Sequence, residues 1–221
     1  PKRPVDVETF PQQVSDVVGY LYDGLQDQHP FSSLKVSPGL KPETSPDIWL
    51  LGSSDYSARL AAQLGLPFAF ADFFGTTAGH GPTVAELYRR EFRPSMLCAE
   101  PRLNVTVQAI CAATTEEAEL LAASRNFNRA RRVLGIQGEE LGDGVLPPDK
   151  AAAMPLPEMV REHIQGYVDG CIDGDPDQVK EGILAAAERY GTKDVGIVSI
   201  TYSLADRIRS YELVAKAFGL L

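Results

Sequence analysis

The sequence has few of the residues that build disulfide frameworks and metal sites. Among its 221 residues are three histidines and three widely separated cysteines: Cys98, Cys111 and Cys171. An odd number of distant cysteines argues against a disulfide framework and is typical of reduced, packed thiols in a cytoplasmic protein. The histidines have no partners at the spacing of metal ligands, so we expect no metal site.

Long apolar runs and strongly basic segments are also scarce. No apolar run approaches the ~20 residues that a transmembrane helix needs, so we expect no membrane span. The formal net charge is −9, and the densest basic cluster is the short run at residues 129–132. A nucleic acid or an anionic membrane surface would need a basic face, so this composition argues against both as partners.

Short apolar runs alternate with segments of helical periodicity from residue 48 onward. Four strands are predicted, at residues 48–51, 68–71, 103–110 and 195–200. Helices are predicted at residues 8–25, 55–64, 83–92, 158–168, 176–190 and 203–218, with another beginning after Thr114. The connections are long enough for right-handed crossovers, which predicts a parallel sheet in a single α/β domain over residues 1–221. Ligands of such sheets bind at the carboxyl ends of the strands.

The turn between the first predicted strand and the next helix has the features of an anion site. Gly52 lets the backbone turn sharply, and Ser53, Ser54 and Ser57 place hydroxyl groups around it. The free N–H groups and the dipole of the helix N-terminus would hold a phosphate without a cation. The alternative is that Ser53 or Ser54 only caps the helix.

Residues 133–157 form a segment rich in glycine and proline that interrupts the strand–helix alternation. Loops of this length are usually functional or mobile. We expect this segment to act as a lid that excludes water from the ligand-facing edge of the sheet.

Several motifs occur in a fixed order along the chain. Residues 49–54 read WLLGSS, Tyr56-Ser57 follow, and residues 60–71 read LAAQLGLPFAFA. These resemble the central signature of the bacterial luciferase-like flavin monooxygenases. Further segments similar to landmarks of that family are found at 88–89, 92–95, 114–118, 174–179 and 207–215.

The resemblance implies an eight-stranded parallel β/α barrel that binds reduced flavin mononucleotide (FMN), or in some relatives a deazaflavin, and activates dioxygen. It also implies that this chain supplies about the second half of the barrel. The missing N-terminal half-barrel, or a second copy of the chain, is then expected to complete the sheet; a truncated fragment is the alternative. A small organic substrate, a flavin reductase and a homo-oligomer follow from the same resemblance.

The resemblance also indicates which residues would hold the cofactor. The flavin phosphate is expected at the 52–57 turn, with Tyr56 at its rim, and the candidate ligands are Gly52, Ser53, Ser54, Tyr56 and Ser57. No residue is assigned a catalytic role, because the cofactor carries the oxygen chemistry.

Four residues on the ligand-facing loops are candidates for a substrate pocket: Asp72, Phe73, His80 and Thr201. The chain reads Asp-Phe at 72–73, where close relatives often read Ser-His, so substrate contacts do not carry over directly. His80, between two glycines, is a candidate donor to oxygen or substrate; the alternative is an exposed loop histidine without a function.

Two classes of function remain open on the sequence. The first is a monooxygenase that uses reduced FMN and dioxygen on a small organic substrate, or a deazaflavin-dependent oxidoreductase of the same family. The second is a non-catalytic flavin-binding homologue. A fragment of a barrel that binds no flavin is less compatible with the ordered motifs.

Overall fold

A parallel sheet flanked by helices forms the centre of the molecule. The structure is a computed structural model that describes residues 7–22, 24–34, 45–74, 79–135 and 144–221. The strands are β1 Leu50–Gly52, β2 Phe68–Ala71, β3 Leu103–Cys111, β4 Ile172–Gly174 and β5 Asp194–Val198. The α-helices are α1 Phe10–Leu21, α2 Asp55–Leu64, α3 Gly81–Glu91, α4 Thr115–Val133, α5 Pro148–Ala153, α6 Glu158–Asp169, α7 Pro176–Tyr190 and α8 Leu204–Ala217. Single 3₁₀ turns lie at Val7–Thr9 and Asp72–Phe74.

The nine-residue β3 is the organising strand of the sheet. Its residues 103–106 pair with β2, residues 104–108 with β5, and residues 109–111 with β4, while β1 pairs with β2. Every one of these pairings is parallel, which confirms the predicted α/β class. The loops that follow the strands therefore leave the same edge of the sheet.

The strand count differs from the prediction, because no strand was predicted at residues 172–174, where the structure has β4. This strand has three residues, Ile172-Asp173-Gly174, and pairs only with the end of β3. A three-residue segment with one apolar side chain shows no alternation that a sequence pattern could detect. The prediction of four strands was therefore wrong by this one short element.

Element boundaries shifted by a few residues, as expected where ends depend on tertiary packing. The first strand starts at Leu50 instead of residue 48, and the last ends at Val198 instead of residue 200. The segment at 133–157 is not irregular throughout, since α5 lies within it; its residues 136–143 lie outside the described residues. Its role as a lid stays a prediction.

Side chains of β3 alternate between two environments. Leu103, Val105 and Val107 are buried in a core shared with α2, α3 and α7. On the opposite face, the Asn104 amide donates to Asp194 at 2.7 Å, and residue 106 is only partly buried. The apolar core thus lies on the helix side of the sheet, and the other face carries polar groups.

Candidate functional site

The turn from β1 into α2 is closed by two serines that bond to each other. Ser54 is the N-cap of α2, and its Oγ accepts from the Ser57 backbone N at 3.4 Å. In return, the Ser57 Oγ accepts from the Ser54 N at 3.3 Å and donates to the Ser54 carbonyl at 2.8 Å. This capping box confirms the helix-cap interpretation of Ser54.

Gly52 lies against the buried Ser57. A Cβ at position 52 would collide with the Ser57 side chain, so this position has no room for any larger residue. The glycine therefore lets the strand end and the capping serine occupy the same small volume. This gives a physical reason for the Gly-Ser-Ser sequence that does not depend on a ligand.

The capping box leaves some backbone N–H groups at the N-terminus of α2 without a hydrogen bond to the cap. In an α-helix the first amides have no intrahelical acceptor, and here the capping serine takes only that of Ser57. The amides of Asp55 and Tyr56 remain, and the Ser53 side chain is only partly buried beside them. The Tyr56 side chain is 46% exposed at the rim. The turn therefore presents backbone N–H groups to an anion, with the dipole of α2 behind them.

His80 reaches the same turn from the loop that follows β2. Its Nε2 lies 2.7 Å from Oδ1 of Asp55, the first residue of α2. Both side chains are more than half exposed. The structure thus brings one residue predicted for the substrate pocket to the predicted phosphate turn.

Asp72 and Thr201, two further residues predicted for the substrate pocket, have polar partners of their own. Asp72 is 3% exposed, and its Oδ2 lies 3.5 Å from the Arg189 guanidinium. Burial and the negative charge of Asp72 together raise the pKa of Tyr190. The Thr201 hydroxyl donates to the Ser203 carbonyl at 2.8 Å. Neither residue lines the cavity described next, so their predicted roles in a substrate pocket gain no support.

Phe73 does line a cavity, at the carboxyl ends of β2, β3 and β5. Its volume is about 240 Å³. The aromatic residues in its wall are Phe73, Phe74 and Tyr167, and the cationic ones are Arg125, Arg129 and Arg132. Gln108 from β3 forms part of the same wall. The cavity thus combines apolar surface with positive charge.

A hydrogen-bonded chain holds this wall together. The Gln108 amide, 4% exposed, donates to the Phe73 carbonyl at 2.6 Å, and the Tyr167 hydroxyl donates to the Gln108 Oε1 at 3.1 Å. Sequence reasoning missed both Gln108 and Tyr167. The available signal was the glutamine itself, a polar residue near the carboxyl end of an otherwise apolar buried run.

Arg125 forms a buried ion pair behind the cavity. Its side chain is 2% exposed, and its two terminal nitrogens donate to the two carboxylate oxygens of Asp173 at 2.9 and 2.5 Å. Burial opposes the charge, but the hydrogen bonds and charge of Asp173 keep the pKa of Arg125 raised. The short strand β4 supplies Asp173 and so connects the sheet to α4.

The thiols lie in surroundings that suppress ionisation. Cys111 ends β3 with 1% exposure, and burial raises its pKa to about 11. Burial raises the pKa of Cys171 to about 11 as well. Neutral thiols are poor nucleophiles, which agrees with the interpretation of Cys111 as a packing residue.

Two further features follow from the described part of the chain. It contains no cluster of three or more histidine, cysteine or acidic side chains arranged to hold a metal ion. Nor does any helix in that part have the length and apolar character required to cross a bilayer.

The order of motifs and the parallel sheet are matched by one known family. The sequence profile of the luciferase-like monooxygenases matches residues 23–193. The chain belongs to the luciferase-like monooxygenase family. The recognition made from the motifs is thereby confirmed.

Two proteins resemble the chain over nearly all of its length. The uncharacterized protein YwcH of Bacillus subtilis (strain 168) is 37% identical over 214 residues, covering 97% of this chain and 62% of that protein. The crystal structure of apo-MsnO8 has a TM-score of 0.78 at 29% identity, covering 100% of this chain and 63% of that one. The chain therefore spans less than two thirds of the length of these luciferase-like relatives.

A more distant structure shares the fold alone. The oxygenating constituent of 3,6-diketocamphane monooxygenase from Pseudomonas putida, in complex with FMN, has a TM-score of 0.53 at 18% identity, covering 87% of this chain and 53% of that one. The luciferase-like fold also includes the coenzyme F420-dependent tetrahydromethanopterin reductase of Methanopyrus kandleri, with a TM-score of 0.56 at 12% identity, covering 93% and 61%. The first of these two structures contains FMN, and the second protein is named for its dependence on coenzyme F420.

Proposed function

We propose that this chain carries the phosphate-binding end and part of the substrate pocket of a monooxygenase that uses reduced FMN and dioxygen on a small organic substrate. The observation that carries the proposal is the 52–57 turn, where backbone amides of Asp55 and Tyr56 are available at the N-terminus of α2. The family assignment supports an oxidoreductase, and the turn supports the cofactor's phosphate end.

The residues present fit a phosphate. Amides at the start of a helix donate to anions, and the helix dipole favours negative charge there. The carboxylate of Asp55 opposes a second anion, and its contact with His80 lowers that opposition when the imidazole is protonated. Ser53 adds a partly exposed hydroxyl. The proposed ligands are thus the amides of residues 55 and 56 and the Ser53 side chain, with the Gly52, Ser54 and Ser57 group shaping the turn.

The bound flavin would supply the activation of dioxygen. The chain's own residues would hold the phosphate, orient the ring system towards the carboxyl ends of β2 and β3, and keep water from the reacting atoms. Phe73 and Phe74, with ring centroids 4.6 Å apart, provide apolar surface at that edge. Residues 133–157 are proposed to complete this shielding as a lid.

The remaining parts of the proposal concern the whole protein. The longer relatives suggest that an N-terminal half-barrel, or a second copy of this chain, completes the sheet. A flavin reductase, a homo-oligomer and a cytoplasmic location are proposed with it. A deazaflavin in place of FMN, or a flavin-binding homologue without turnover, is the second candidate, favoured by the F420-dependent neighbour of the same fold.

The test of the phosphate site compares FMN with riboflavin, which lacks the phosphate. Each would be titrated into the chain in its reduced form under anaerobic conditions, with binding followed by calorimetry. We expect FMN to bind at least about ten-fold more tightly than riboflavin, as for two or more amide hydrogen bonds to an anion.

A matched pair of cap variants assigns that preference to the turn. Ser54→Ala removes the cap of α2, and Thr114→Ala removes the equivalent cap of α4, where Thr114 also accepts from the third residue of its helix. Only Ser54→Ala should reduce the preference for FMN. Equal binding of FMN and riboflavin, or equal effects of the two variants, would count against the proposed site.

A further inference from the structure

The cavity at the carboxyl ends of β2, β3 and β5 contains a cation that the proposed phosphate site does not employ. Arg129 lies in its wall and is partly buried. In the described part of the chain, no carboxylate lies within ion-pair distance of its guanidinium. Instead, the guanidinium carbon lies 5.0 Å from the ring centroid of Tyr167. Arg129 is thus held by an aromatic face while its charge is not neutralised.

The contrast with the neighbouring arginine shows that this charge is unusual. Arg125, one turn earlier on α4, is neutralised by Asp173. Arg132, one turn later, is exposed and also lines the cavity. Among the described residues that line this cavity there is no acidic side chain. In a chain with a net charge of −9, a cavity with two cations that have no ion-pair partner among the described residues is suited to attract an anion.

Hydrogen bonds hold the Tyr167 side chain, whose ring lies against the Arg129 guanidinium. Tyr167 is 6% exposed and bonds to the Gln108 amide, which in turn bonds to the Phe73 carbonyl. The aromatic partner of the guanidinium is therefore tied to β3 and, through Gln108, to the 3₁₀ turn that follows β2. A planar cation held in this way is suited to paired hydrogen bonds with a carboxylate, with little further ordering on binding.

Apart from the amide side chains of Gln108 and Asn128, the other uncharged residues in the wall supply aromatic or aliphatic surface. Phe73 and Phe74 lie on one side, and Val198 and Ile200 at the end of β5 add aliphatic surface. The volume of about 240 Å³ is smaller than the range of roughly 300–1,000 Å³ typical of pockets for drug-sized ligands. We infer that this cavity binds a small organic carboxylate, whose anionic group pairs with Arg129 and whose apolar part lies against Phe73 and Phe74.

This inference rests on the proposed function only in identifying the carboxylate as the substrate to be oxidised. The anion site itself is a property of the cavity and is measurable without flavin or turnover. Arg129 would then be a residue that determines substrate specificity.

The experiment uses phenylacetate and phenylacetamide, which have nearly the same shape but differ in charge. Each is titrated into the chain by calorimetry at fixed ionic strength. We expect phenylacetate to bind about ten-fold more tightly, as for a charge-assisted pair of hydrogen bonds. Arg129→Gln should abolish this preference, whereas Arg207→Gln, which removes the same charge from the exposed surface of α8, should leave it unchanged.

A second variant distinguishes a loss of binding from a loss of folding. Circular dichroism and thermal melting establish whether Arg129→Gln is folded. Arg129→Lys keeps the charge but loses the planar fork, so it should reduce the preference several-fold. Equal binding of the two probes by the unmodified chain would overturn the inference, and so would an unchanged preference in both Arg129 variants.

The flavin titrations separate this inference from the proposed function. If Arg129→Gln removes the preference for FMN over riboflavin, the guanidinium binds the cofactor phosphate, and the inference of a substrate site is wrong. If the chain prefers phenylacetate yet shows no preference for FMN, the anion cavity stands and the flavin proposal fails. If it prefers FMN but not phenylacetate, only the cavity inference fails.

Discussion

The imidazole Nε2 of His80 lies 2.7 Å from the Asp55 carboxylate, at the start of the helix that we propose to bind the flavin phosphate. The two residues are 25 positions apart and come from different strand-to-helix loops. Their contact places a carboxylate and an imidazole next to available backbone amides. The electrostatics of the turn therefore depend on both residues together.

Removing His80 should weaken binding of reduced FMN by a few-fold, because the Asp55 carboxylate near the phosphate then loses its contact with the imidazole. Asp55→Asn should have the opposite effect, and the double variant His80→Asn/Asp55→Asn should bind at least as tightly as the unmodified chain. Anaerobic titrations at low and high salt provide the measurement. Since both side chains are exposed, the differences should shrink as salt rises; differences independent of salt would contradict this account.

Gly52→Ala should destabilise the chain by about 1–3 kcal/mol and remove the preference for FMN, because the added Cβ collides with Ser57 and displaces the capping box. Urea unfolding and the flavin titrations measure the two effects. Gly144→Ala is a suitable control, since its Cβ would meet no atom within 4 Å. A Gly52→Ala chain of unchanged stability would show that the turn relaxes freely.

Asp173→Asn should destabilise the chain by about 3–5 kcal/mol, because it leaves Arg125 charged and buried without its partner. The control is Asp47→Asn, which breaks the exposed pair with Arg102 at 3.2 Å and should cost less than about 1 kcal/mol. Urea unfolding of both variants tests the contrast. Similar losses would show that water reaches Arg125.

Alkaline pH should destabilise the fold through the buried thiols. Burial raises the pKa of Cys111 and Cys171 to about 11, from 9.0 in the absence of burial. Between pH 9 and 11 the unfolded chain therefore binds fewer protons than the folded chain, and the free energy of unfolding falls as pH rises. The expected loss is on the order of 1–2 kcal/mol per thiol at pH 11.

Urea unfolding at pH 7, 9, 10 and 11 measures this dependence. Buried Tyr88 and Tyr190, whose pKa values burial also raises, contribute in the same direction, so the thiol share needs a variant. Cys111→Ala/Cys171→Ala should be less stable at pH 7 but lose less between pH 9 and 11. An identical slope in this variant would assign the whole effect to other groups.

Local signals predicted the local structure well. The helix at Asp55–Leu64 has the predicted bounds, and it ends at Gly65 in the left-handed conformation, with φ 62°. Thr114 caps α4, which begins after it as predicted, and Asp175 caps α7, which starts at the predicted residue 176. In each case the decisive chemistry lies within four residues of the position it determines.

The cavity could not be predicted in this way, since its residues meet only in the folded chain. Arg125 and Asp173 are 48 positions apart, and Gln108 and Tyr167 are 59 apart. In the sequence, the arginines of α4 look like the solvated face of an amphipathic helix. The structure shows that Arg125 is buried, Arg129 lines a cavity and Arg132 is exposed. The presence of an arginine in a predicted helix does not show whether its side chain is buried, lines a cavity or is exposed.

The spacing of Arg125 and Arg129 on α4 separates two roles by a single helical turn. Position 125 holds the sheet and helix together through Asp173, whereas position 129 has no ion-pair partner among the described residues. A substitution of Arg129 therefore breaks no buried ion pair, whereas a substitution of Arg125 would lower the free energy of unfolding by breaking the pair with Asp173. Directed evolution of the ligand range should accept many residues at 129 and almost none at 125, and natural diversification within the family would follow the same path.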